Sequence, residues 1–136
     1  MFEGIFGKKS DRLIEAAKTA INEFRKFSLE HPAINTGYSN ETYTAQLADL
    51  DKIKSVIDKG LPFDEGKKSP KKRLQEENEK NYSQNGFLEE IIYAKITDEK
   101  LRNKLEQHYK SMQTAIINLS NYIKEEYKPN LSPSKY

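Results

Sequence analysis

The 136-residue sequence contains no cysteine and no tryptophan, and valine occurs once. Without cysteine there is no disulfide framework, no thiolate nucleophile and no cysteine-held zinc or iron–sulfur site. Twelve isoleucines stand against the single valine, while Glu, Lys, Gln, Leu and Ala fill the periodic stretches. That composition favours helix over sheet. No apolar run approaches the roughly 20 residues of a membrane-spanning helix. The opening MFEGIFGKK is too short and too acidic early on for a signal peptide, so a cytoplasmic location and no stable membrane anchor are expected.

Neither sign of charge dominates: 23 basic and 21 acidic residues leave a net charge of +2, far below the excess of a dedicated nucleic-acid binder. The small sum conceals a segregation, because residues 36–66 carry −3 and residues 67–86 carry +3. Six glycines are scattered along the chain, and none forms a phosphate-cradling loop ahead of a Gly-Lys-Ser/Thr sequence.

Leu, Ile, Val and Phe together number 30, a thin supply that still suffices for one compact domain spanning residues 1–136. They fall in helical rhythm. Leu13, Ile14, Ala17, Ala20, Ile21, Phe24 and Phe27 recur at three- and four-residue steps, which predicts a helix over about 11–30 with Ser10 as N-cap. His31-Pro32 ends it. A second helix over about 41–59 carries Tyr43, Leu47, Leu50, Ile53, Val56 and Ile57 on one stripe, with Asn40 as cap, Gly60 as stop, and Asp49, Asp51 and Asp58 on the outer face.

Residues 61–69 read as a loop, after which Ser69-Pro70 signals a helix start. Between residues 71 and 84 only Leu74 and Tyr82 are large and apolar, so this polar helix at about 70–84 has no stripe to bury. It should project from the domain or lie across it. Phe87, Leu88, Ile91, Ile92, Ala94 and Ile96 form the densest apolar cluster, a short buried helix, and the phase then slips at Thr97-Asp98-Glu99. From Asp98 to about Lys128 the spacing of Leu101, Leu105, Tyr109, Met112, Ile116, Leu119, Ile123 and Tyr127 predicts a rod of about 45 Å. Pro129 ends it, and residues 129–136 form a tail, as residues 1–9 form a short apolar and basic leader. The fold class expected is all-α, an antiparallel bundle of four to five helices with a long C-terminal helix.

Catalytic constellations are absent from the pattern. His31 and His108 lack the Glu-x-x-His spacing of di-iron bundles, no Gly-x-Ser-x-Gly elbow exists, and Asp49-x-Asp51 lacks the rest of a calcium loop. The carboxylate clusters have lysines nearby and read as solvated helix faces. No metal or cofactor is therefore expected, and the chain is read as a non-enzyme.

Two features invite a partner. Lys67, Lys68, Lys71, Lys72 and Arg73 gather five cations in seven residues, three of them in a first helical turn, where the helix dipole disfavours positive charge. They could serve an external anion or acidic partner, or simply solubilise the loop, with Glu76, Glu77 and Glu79 as local counter-charges. The long last helix exceeds the first two in length, so part of its stripe should overhang, with Tyr109, Met112, Ile116, Tyr122 and Tyr127 as interface residues. The function expected is a protein–protein interaction module, a small cytosolic adaptor, inhibitor or immunity-type factor that binds a partner or itself. The alternative is a nucleic-acid or phosphate-binding regulator acting through the basic segment.

Overall fold

In the computed structural model, residues 8–32, 40–63, 71–72 and 96–130 are described. Three α-helices and no strand occur among them: α1 (Lys9–Glu30), α2 (Asn40–Asp58) and α3 (Glu99–Glu125). At 1.5 Å per residue they are about 33, 28 and 40 Å long. The chain among these residues is all-helical. The predicted polar helix at 70–84 is represented by Lys71 and Lys72, both helical, and the short apolar helix by Ile96 alone. The rest of both segments lies outside the described residues, as do residues 64–69 of the predicted loop and residues 131–136 of the tail.

Helix α1 is the centre of the packing. Its stripe of Ile14, Ala17, Ile21, Phe24 and Phe27 is buried, and both α2 and α3 pack against it. Phe24 meets Tyr109 of α3 edge to face at 4.7 Å and Tyr43 of α2 at 6.0 Å, so a single ring joins all three helices. Contacts run in opposite chain directions on both sides. Lys9 reaches Glu126 while Phe27 reaches His108, and Asp11 reaches Lys54 while Phe24 reaches Tyr43. α1 is therefore antiparallel to both neighbours, and α2 and α3 run parallel to each other.

Helix α1 begins two residues earlier than the pattern predicts. Lys8 occupies the N-cap without a side-chain cap bond, and Ser10, expected as the cap, is buried inside the first turn. Within this first turn the Lys9 ammonium holds the Glu126 carboxylate at 2.7 and 2.9 Å across the helix pair. Asp49, expected on the outer face of α2, is buried beside Gln46, whereas Asp51 and Asp58 are exposed as expected. Asp49 sits one turn before Ile53 and three residues after Gln46, which places it on the edge of the inward stripe. The Gln46 side-chain oxygen is buried with no hydrogen-bond partner among the described residues.

Helix α2 stops as predicted at Gly60, whose φ of +66° closes a Schellman turn: Gly60 N–H donates to Ile57 and Leu61 N–H to Val56. Asp98 caps α3, its carboxylate accepting from Lys100 and Leu101 N–H. The C-terminus of α3 falls at Glu125, about three residues before the predicted end. There the Tyr127 ring turns back, its hydroxyl donating to the Leu61 carbonyl with the Val56 carbonyl 3.2 Å away, and Asn130 N–H donates to Gly60 O. Tertiary hydrogen bonds have replaced the last helical turn.

A methyl group at Gly60 would meet the Asn130 side chain at 2.9–3.2 Å, in a backbone region that L-residues avoid. Gly60→Ala should therefore destabilise the fold by about 1–2 kcal/mol, read as a lower thermal midpoint. Phe24→Ala should cost about 3–5 kcal/mol, while Leu29→Ser, at a side chain 70% exposed, should change the midpoint little.

Candidate functional site

The residues expected at a protein interface divide between core and rim. Tyr109, Met112 and Ile116 are 2%, 1% and 3% exposed, and their side chains join the hydrophobic core. This corrects the expectation of an overhanging stripe, because α1 presents a matching stripe along the same length. Leu101, in the first turn of α3, is left half-buried. Tyr122 and Tyr127 are half-buried against that core. Tyr127 is a latch, and burial raises its pKa above the ordinary value, so near neutral pH its hydroxyl keeps the proton it donates.

The open surface between α1 and α3 lies beside that stripe. A groove of 710 Å³ runs along it, lined mostly by apolar atoms. Its floor is made of small side chains at four-residue spacing on each helix, Ala16 and Ala20 on α1, Ser111 and Ala115 on α3. Glu23, His108 and Lys110 place charged and polar groups along it. The alternation of small residues beside each apolar stripe was visible in the sequence as Ala-x3-Ala and Ser-x3-Ala, a signal that the count of large side chains passes over.

His108 lies at the upper part of this groove with its ring 4.8 Å from Phe27, and His31 faces the same ring at 4.7 Å. Both histidines thus pack on one phenylalanine. Burial lowers the pKa of His108, with Lys104 acting in the same direction, while Glu23 and Glu30 oppose it. Among the described residues no group of three metal-ligating side chains converges. No helix among them is long and apolar enough to cross a membrane.

Of the basic segment, Lys71 and Lys72 are half-buried, and the Lys71 ammonium stands 5.6 Å over the Phe63 ring. Phe63 in turn meets Tyr127 edge to face at 5.3 Å. Lys71 is therefore brought to the end of the bundle where α2 and α3 finish and α1 begins. Lys67, Lys68 and Arg73 lie outside the described residues. Near the same end, Lys54 bridges Asp11 and Asp58, and these bonds raise its pKa.

Compared with known proteins, the chain matches no family model, no curated protein and no solved structure.

The lowered His108 pKa has a definite sign in stability. The unfolded chain accepts a proton near the ordinary value of 6.5, whereas the folded chain resists it to lower pH. The His108 contribution is thus fully present above pH 6.5 and is lost as pH falls below it towards the folded-state value. Urea midpoints should drop between pH 7.5 and 5.5 in the wild type and drop less in His108→Gln. Equal drops in both proteins would refute the assignment.

Proposed function

We propose that this chain is a non-enzymatic helical module that binds another protein through the α1–α3 groove. The observation that carries the reading is the groove itself: open, mostly apolar, 710 Å³, and floored by small side chains on two antiparallel helices. Small side chains let a partner helix approach both backbones closely, and Glu23, Lys110 and Asn118 supply polar groups to orient it. The roles of adaptor, inhibitor or immunity-type factor, and a cytoplasmic location, belong to the same proposal.

A bundle of four to five helices is proposed with it, on a directional argument. α2 finishes at the end where α1 starts, and α3 starts at the opposite end. We propose that the chain between Phe63 and Ile96 makes the passage from one end to the other. Its 32 residues suffice for one helical passage of about 40 Å and not for three. The polar helix expected at about 70–84 and the short apolar helix expected at 87–96 would bring the count to five.

The second reading, a nucleic-acid or phosphate-binding regulator acting through residues 67–73, draws support from the placement of Lys71 at a lysine-rich end of the molecule.

Ser111→Arg and Ala16→Arg, at exposed positions lining the groove, test the first reading. Each should abolish self-association in light scattering, or a stoichiometric complex with a captured partner, with the thermal midpoint unchanged. A wild-type chain that stays monomeric and retains no partner would sink it, as would complexes indifferent to both substitutions.

A further inference from the structure

We infer that the end of the bundle at which α1 begins and α2 and α3 finish is a docking surface for an anionic lipid bilayer. The inference is independent of the groove, which lies along the side of the helices.

Its first support is a charge polarity that the net charge hides. The described residues of this end, 8–12, 54–63, 71–72 and 121–130, hold nine Lys or Arg against four Asp or Glu. The remaining described residues hold eight against nine, so the positive surplus sits at this one end. Three of the four acids are already engaged, Asp11 and Asp58 by Lys54 and Glu126 by Lys9. Lys8, Lys59, Lys124 and Lys128 are exposed and make no ion pair among the described residues. They come from three different elements, and Lys8 and Lys128 line the same hollow of 570 Å³.

Helix dipoles explain part of this arrangement. Lys59, Lys124 and Lys128 stand near the C-termini of α2 and α3, where a cation is favoured. Lys8 stands at the N-terminus of α1, where a cation is disfavoured, so the dipoles do not account for the whole cluster.

The second support is an exposed apolar tip at the same end. Leu61 is 47% exposed on the turn that leaves α2, followed by the exposed Pro62 and the half-buried Phe63 under Lys71. A leucine-proline tip at the same end of the bundle as these lysines matches a headgroup layer, with the tip entering the acyl boundary and the lysines meeting phosphates and carboxylates. A nucleic acid fits less well. Eight of the nine cations are lysine, which offers a point charge and no bidentate fork, and the exposed apolar tip would face phosphodiester without gain. Successive exposed aromatic rings for base stacking are also missing among the described residues of this end.

The test is vesicle co-sedimentation of the full chain at low and high salt. It compares pure phosphatidylcholine with phosphatidylcholine containing phosphatidylserine, and a duplex DNA oligonucleotide serves as competitor. The expected result is binding to the serine-containing vesicles only, lost at high salt. Lys8→Gln/Lys59→Gln/Lys128→Gln should weaken it on the order of tenfold or more, with helicity and thermal midpoint unchanged. Leu61→Ser should weaken binding several-fold without altering its salt dependence. Equal recovery with both vesicle types, no recovery with either, or an unaffected triple variant would overturn the proposal. So would DNA that strips the protein from vesicles at equimolar phosphate, which would assign the surface to nucleic acid.

Discussion

Everything described in this molecule hangs on the inward stripe of α1, and at its centre on the Phe24 ring. A chain with no cysteine and only 30 large aliphatic and Phe side chains must place nearly all of its cohesion in one seam. α1 is the element that both other helices touch, and Phe24, fully buried, meets Tyr109 on one side and Tyr43 on the other. Surface ion pairs such as Lys9 with Glu126 fix the direction of the neighbours while adding little to stability, about 0.5 kcal/mol for an exposed pair. The seam decides whether the helices assemble, and the ion pairs help decide in which register.

Helix existence and approximate bounds were legible because they depend on local patterns. The apolar spacing located all three helices, Gly60 marked the end of α2, and Asp98 with Glu99 marked the start of α3. What the spacing could not show was which stripe residues would meet another stripe. Tyr109, Met112 and Ile116 look the same in sequence whether they face α1 or a partner, and only the antiparallel match with α1 assigns them to the core. Where tertiary bonds compete with local rules, the local rules lose. Ser10 yields its capping role as the helix starts at Lys9, and the last turn of α3 yields to the bonds of Tyr127 and Asn130.

The candidate surfaces were legible in unequal measure. The basic run at 67–73 stood out as a run, yet the polarity of the described residues arises from lysines scattered through four stretches of sequence that the fold gathers at one end. Lys8 and Lys128 are 120 positions apart in the chain and line one hollow. The groove had a weaker signature, because small residues are read as gaps in a hydrophobic pattern rather than as a surface. Its recognition requires knowing that α1 and α3 lie side by side.

The Tyr127 latch has a consequence in time as well as in space. Its hydroxyl joins residues 66 and 71 positions away along the chain, and the Lys9–Glu126 tie spans 117. Contacts of that separation are made only after the intervening chain has been brought together, whereas the turns within each helix form early and locally. A bond of this kind that is absent from the folding transition state adds little to the rate at which a chain folds. Its strength is felt instead in how slowly the finished molecule comes apart, so that the closed end of the bundle governs persistence more than formation.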